Sequence, residues 1–116
     1  MAKATIYHNP NCGTSRNTLA ALREAGLEPT VVEYLKVGWT RPLLQQLLKD
    51  MSAGPRDILR VRGTPAEELG LTEPKTSDDA ILDAMVKHPI LVERPIVVTD
   101  KGTALCRPMD KVQALI

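Results

Sequence analysis

Lys3-Ala4-Thr5-Ile6-Tyr7-His8-Asn9-Pro10-Asn11-Cys12-Gly13-Thr14-Ser15-Arg16 is the stretch on which the fold turns. Residues 3–8 alternate, with Ala4, Ile6 and His8 on one side, which predicts a half-buried strand. Asn9 to Gly13 are loop formers. Thr14 or Ser15 is then placed to cap a helix carrying Leu19, Leu22 and Ala25, with Gly26 as its stop. After Pro29 the β-branched run Thr30-Val31-Val32-Glu33-Tyr34 predicts a second strand. Strand, helix and strand in such short succession make a βαβ unit, whose strands run parallel.

Working outward, the middle of the chain turns helical. Leu43, Leu44, Leu47, Leu48 and Met51 form one apolar stripe behind a cap at Thr40. Gly54-Pro55 opens a short helix through Leu59. Thr64-Pro65-Ala66-Glu67 has the form of a capping box and predicts another helix, ended by Gly70. Ser77 opens an amphipathic helix with Ile81, Leu82 and Met85, stopped by Pro89. The last third returns to strands. Pro95–Thr99 is apolar, Asp100-Lys101-Gly102 is a tight turn, Thr103–Arg107 is the returning strand, and Asp110–Leu115 predicts a final short helix. The order is β-α-β, a helical insertion over about 40–88, then β-β-α. A four-stranded sheet that begins parallel and ends in a hairpin, with a cysteine after its first strand, predicts an α/β, thioredoxin-like domain of the glutaredoxin type, a single domain over 1–116.

Composition narrows the function classes. At 116 residues the chain can bury about two-thirds of its unfolded surface, so one core suffices without disulfide staples. Its 15 Lys+Arg against 14 Asp+Glu leave a net charge of +1, too little for nucleic-acid or anionic-membrane binding by bulk charge. Tyr7, Tyr34 and Trp39 are its only aromatic residues, which excludes a base-stacking platform. No apolar run approaches a membrane span or a secretion signal. The expectation is therefore a cytoplasmic monomer with free thiols and no metal, since two cysteines and two distant histidines make a poor ligand set.

Cys12 is the candidate nucleophile. A free thiol has a pKa of about 8.5 and is mostly protonated at neutral pH. Over the first turn of a helix, unpaired N–H groups and the helix dipole favour the thiolate. Gly13 permits close backbone approach, Thr14 and Ser15 offer hydroxyls, Arg16 adds charge, and His8, at the end of the strand, is placed to lower the pKa as a cation or by hydrogen bonding. The loop reads C-x-x-S, so an oxidised Cys12 has no local resolving partner. Cys106 shares its strand face with Ala104 and reads as core packing. If Thr99 pairs with Thr103, Pro95 falls opposite Arg107 and Arg94 lies one position away. Two like charges so close are costly unless an anion lies between them, and arginine forks suit oxyanions. Spacing alone leaves a choice among Arg56, Arg60 and Arg62 for a third.

The run His8 to Thr18, together with Glu68-Leu69-Gly70-Leu71, His88 to Thr99 and Gly102 to Pro108, closely resembles the glutaredoxin-linked arsenate reductases, over essentially the whole chain. The resemblance implies a thioredoxin-like fold with a helical insertion, Cys12 as nucleophile, a supporting His8 and Ser15, and a cis proline at Pro95. It implies Arg60, Arg94 and Arg107 as the oxyanion-binding set, with Gly13 and Thr14 in the substrate loop. It also implies arsenate as substrate, glutathione as co-substrate with no bound cofactor, and glutaredoxin as the partner that clears a mixed disulfide. Two other functions are compatible with a reactive Cys12. A glutathione-dependent thiol-disulfide reductase would not need three arginines. A redox-sensing transcription regulator of the same superfamily would carry C-x-x-C where this loop has Ser15.

Overall fold

The computed structural model describes residues 3–107 and 109–116; Pro108, the last residue of the motif quoted above, lies outside them. The chain divides into two compact units, one formed by the chain up to Val37 together with Arg94–Ile116, the other by Gly38–Glu93.

The first unit holds the sheet. Strand β1 is Ala4–His8, helix α1 Gly13–Glu24, strand β2 Thr30–Glu33, and a one-turn helix α2 spans Tyr34–Val37. Strands β3 (Ile96–Thr99) and β4 (Gly102–Leu105) follow, then a 3-10 segment Met109–Leu115. The sheet order is β2-β1-β3-β4, with β1 parallel to β2 and antiparallel to β3, and β3 antiparallel to β4. This is the mixed four-stranded arrangement of a thioredoxin-like fold. Alternation works as expected in β1, where Ala4, Ile6 and His8 are buried. Ile6, Leu22, Val97, Cys106, Val112 and Leu115 form one apolar cluster. Helix α1 ends when Gly26, at φ 84°, lets Leu27 N–H reach back to Leu22 O at 3.1 Å.

Three details in this unit depart from the sequence reading. The helix cap is Cys12 itself, so Thr14 and Ser15 sit inside the first turn. Tyr34 leaves the strand and buries its ring at the head of α2. The hairpin is one residue tighter than the turn residues imply. Thr99 pairs with Gly102, because Thr99 Oγ1 accepts the Lys101 N–H at 3.1 Å and closes the turn within two residues. The shift carries Cys106 alongside Pro95, whose carbonyl accepts the Cys106 N–H at 2.9 Å. Arg94 thereby comes to the same level as Arg107.

The second unit is helical. Helix α3 (Arg41–Met51) is capped by Thr40, whose hydroxyl accepts the Leu43 N–H, and α4 (Asp78–Lys87) by Ser77, whose hydroxyl accepts the Ala80 N–H. The two helices pack together, with Leu44, Leu47 and Leu48 on one and Ile81, Leu82 and Met85 on the other buried. Pro55–Ile58 forms a 3-10 turn. The helix expected after Thr64 does not form. Thr64 Oγ1 accepts from Ala66 N rather than Glu67 N, and a single turn from Pro65 closes at Gly70.

Candidate active site

The loop after β1 is folded by its own polar groups. Asn9 O accepts the Cys12 N–H at 3.0 Å, closing a turn over Pro10 and Asn11. Within it Asn9 Oδ1 accepts the Asn11 N–H at 2.9 Å. Arg16, exposed on α1, donates to Pro10 O at 2.9 Å, so it braces the loop from outside. The chain then enters α1 with Cys12 at the N-cap, 9% exposed.

The sulfur meets donors from three parts of the unit. Ser15 offers its backbone N–H from the first turn of α1, and the Arg94 side chain reaches it from the residue before Pro95. Arg107 Nη1 lies 3.5 Å away and also donates to Arg94 O at 2.8 Å. Burial pushes the thiol pKa up; the Ser15 N–H and the two guanidinium groups outweigh it and bring Cys12 down to about 7. Close to half of the sulfur is then thiolate at neutral pH. The two arginines tolerate each other because an anion lies beside both. Arg94 retains more capacity, since its Nε and Nη1 are buried with no hydrogen-bond partner among the described residues.

His8 works differently from either expected mode. Its Nδ1 lies 2.7 Å from Ser15 Oγ, not on the sulfur. Burial lowers its pKa; Glu33 opposes this and the charges of Arg23 and Arg16 add to it, so the ring is neutral near pH 7. Ser15 Oγ also accepts the Asn9 N–H at 3.1 Å. His8 and Ser15, both buried, thus form a polar strut between the end of β1 and the first turn of α1.

The remaining predicted residues fall as follows. Thr14 gives its carbonyl to the Thr18 hydroxyl at 2.8 Å. A Cβ at Gly13 would meet nothing nearer than Arg16 Nη2 at 3.8 Å, so no neighbour crowds that position. The Arg94–Pro95 peptide is cis. Of the three arginines spacing could not separate, Arg56 donates to four carbonyls, those of Leu71, Glu73, Pro74 and Thr76, which makes it a structural clasp. Arg62 is exposed. Arg60 pairs with Glu93 at 2.8 Å and bonds Arg62 O at 3.1 Å, all within the helical unit. Sequence reasoning missed Glu93 and Asn9. The Asn-Pro pair at 9–10 was the available signal for the second, since it marks a turn whose first side chain can close it.

Cys106 has none of these surroundings. It is fully buried in the apolar cluster, and burial, only weakly opposed by Lys111, pushes its thiol up to about 11. Among the described residues no helix is long and apolar enough to cross a membrane. The site as a whole combines a thiolate nucleophile with two guanidinium groups, of which Arg94 keeps buried donors without a hydrogen-bond partner among the described residues, an arrangement suited to attack on a bound oxyanion.

The family model described as the ArsC family matches residues 7–115. The arsenate reductase of Escherichia coli strain K12 is 52% identical over 116 residues, covering 100% of this chain and 82% of that protein. The arsenate reductase of Rhizobium meliloti strain 1021 is 56% identical over 108 residues, covering 93% of this chain and 77% of that protein. Among solved structures, an arsenate reductase from Vibrio cholerae superposes with a TM-score of 0.92 at 36% identity, covering 98% of both chains.

Proposed function

The chain belongs to the ArsC family, and from that premise we propose that it is an arsenate reductase whose nucleophile is Cys12. Arsenate enters over Gly13 and Thr14 and binds through its oxygens to Arg94 and Arg107. Arg60 joins them in this reading on the strength of the family resemblance. The thiolate attacks arsenic and displaces an oxygen, which leaves as water once protonated, giving a Cys12–S–As(V) adduct. The thiolate of glutathione then attacks the Cys12 sulfur. The S–As bond breaks, its electron pair stays on arsenic as As(III), and the two sulfurs are joined as a mixed disulfide. A glutaredoxin thiol removes glutathione from that disulfide and returns Cys12 to the thiol. His8 and Ser15 keep the first turn of α1 in place, so that the Ser15 N–H faces the sulfur throughout.

The observation that carries the reading is Arg94, with Nε and Nη1 buried and without a hydrogen-bond partner among the described residues while the same side chain supports the Cys12 sulfur. Buried guanidinium donors without acceptors are expensive. An oxyanion beside the thiolate would supply acceptors in the fork geometry arginine prefers. A pure thiol-disulfide exchanger needs only the lowered thiol pKa and has no use for those donors. The test is NADPH consumption with arsenate, glutathione, glutathione reductase and glutaredoxin, leaving out each in turn. The reading expects turnover that stops without arsenate, without glutathione or without glutaredoxin. Consumption that continues without arsenate when a small disulfide is supplied, and none with arsenate, would replace it by thiol-disulfide reduction.

A further inference from the structure

Asn9 closes the loop but has no part in the chemistry assigned above, yet it is a polar side chain only 4% exposed, three residues before the nucleophile. We propose that Asn9 is a positioning residue: its side-chain carbonyl, by holding the Asn11 N–H, locks the loop so that Cys12 presents its sulfur to the donors that stabilise the thiolate. The inference rests on the arsenate-reductase reading only for its consequence in turnover; the effect on the sulfur is measurable without arsenate.

The geometry is that of two interlocked rings. The outer ring is closed by Asn9 O and the Cys12 N–H at 3.0 Å, the inner by Asn9 Oδ1 and the Asn11 N–H at 2.9 Å. Pro10 presets one backbone angle of the same turn and has no N–H of its own to contribute. Asn11 is exposed, so its backbone is held by that one side-chain bond and by its neighbours. The Asn9 N–H is anchored independently to Ser15 Oγ, which is itself bonded to His8. Asn9 therefore joins the His8–Ser15 strut on one side to the Cys12 backbone on the other. Around the sulfur stand the Ser15 N–H from α1, Arg94 beside β3 and Arg107 beyond β4. The Arg107 contact, an ordinary N–H···S distance of 3.5 Å, depends on the direction in which Cys12 presents its sulfur.

Replacing Asn9 by Ala removes the inner ring and leaves both backbone bonds available. Replacing it by Ser keeps a shorter, weaker acceptor for the same N–H. Replacing it by Asp keeps the acceptor and adds a negative charge. The readout is the pH midpoint of Cys12 alkylation by iodoacetamide, with thermal unfolding followed in parallel. The Ala variant should raise the midpoint by about one unit and the Ser variant by roughly half of that. The Asp variant places a negative charge at a position only 4% exposed, where salt screens little, and should raise the midpoint at low and at high salt alike. A role confined to stability would lower the melting temperature and leave the midpoint of the folded protein in place. An Ala midpoint equal to that of the wild type overturns the proposal. So does a Ser midpoint equal to that of the wild type, a comparison that decides the matter even if the Ala variant does not fold. Arsenate turnover distinguishes the two readings. Midpoints that shift as expected in a protein without arsenate reductase activity would retain Asn9's role and discard the substrate.

Discussion

Cys12 and Cys106 lie in the same compact unit, at 9% and 0% exposure, and their thiols are driven in opposite directions. Burial raises both. At Cys12 it is overcome by one oriented backbone N–H and two guanidinium groups, bringing the thiol to about 7. At Cys106 the neighbours are Ile6, Leu22, Val97, Val112 and Leu115, the charge of Lys111 opposes burial without overcoming it, and the thiol rises to about 11. Reactivity therefore follows from what faces the sulfur, not from how deeply it is buried. The contrast is built into the strand pattern. Along the last strand direction, Ala104 and Cys106 turn to the core while Arg107 leaves the sheet and reaches the sulfur of the other cysteine.

The widest separation between the two should appear in activity. Cys12→Ser is expected to abolish arsenate reduction, because the alkoxide of serine is not accessible at neutral pH and no second thiol faces the site. Cys106→Ala, which keeps the apolar character of the position, should retain most of the turnover and lose about 1–2 kcal/mol of stability for the removed sulfur. Loss of activity in a folded Cys106→Ala protein would break the comparison by showing that an internal disulfide is used.

Next in size are the guanidinium groups. Charge-assisted hydrogen bonds of roughly 1.5–3 kcal/mol each imply that Arg94→Ala or Arg107→Ala lowers arsenate kcat/KM about tenfold to a hundredfold. Lysine at either position should recover only part, since a point charge cannot reproduce the fork. Exchange of Cys12 with a neutral small disulfide should fall much less, through the thiol pKa alone. Arg60→Ala tests the third arginine in the same assay; it should lower arsenate turnover and leave the Cys12 alkylation midpoint unchanged. Equal loss of both reactions in all three variants would reduce the arginines to supports of the thiolate.

How far the sequence could be read follows from which interactions are local. The strand alternation, the caps at Thr40 and Ser77 and the stop at Gly26 are encoded within a few residues, and each forms as read. The segment after Thr64 shows the limit of such signals, since Thr64 Oγ1 takes the Ala66 N–H instead of that of Glu67 and the chain closes a single turn at Gly70. The hairpin register was missed because Thr99 closes its turn with a side chain, which moves every partner by one and brings Arg94 level with Arg107. At the site, the places of Cys12 and Arg107 were legible from a thiol at a helix start and from paired arginines, whereas Ser15, read as a hydroxyl donor, faces the sulfur with its backbone N–H and turns its hydroxyl to His8. The manner in which His8 acts was not. Whether a histidine is a cation or a neutral strut depends on burial and on a hydroxyl seven residues away, and neither is visible in spacing.

The smallest effect expected is the one that most directly sharpens the contrast, because it appears in stability with opposite sign for the two thiols. A thiol in an unfolded chain titrates near pH 8.5. Cys12 titrates lower in the fold, at about 7. Between these values the unfolded chain binds more protons than the native protein, so stability rises with pH. The Cys12 contribution is fully present above the unfolded value and is lost as pH falls through about 7. Cys106 titrates higher in the fold, at about 11, so the sign reverses. From about pH 8.5 upward its unfolded thiol ionises while the buried one cannot, and stability falls with pH until the folded value is reached. Urea unfolding of the wild type, Cys12→Ser and Cys106→Ala across this range isolates each thiol by difference, since the other titrating groups are shared. The stability of the wild type relative to Cys12→Ser should grow between about pH 7 and 8.5, and relative to Cys106→Ala it should shrink above about pH 8.5. A wild-type and Cys12→Ser pair that runs parallel would mean that the donors around Cys12 do not outweigh its burial. The arginines would then have to act on the substrate alone.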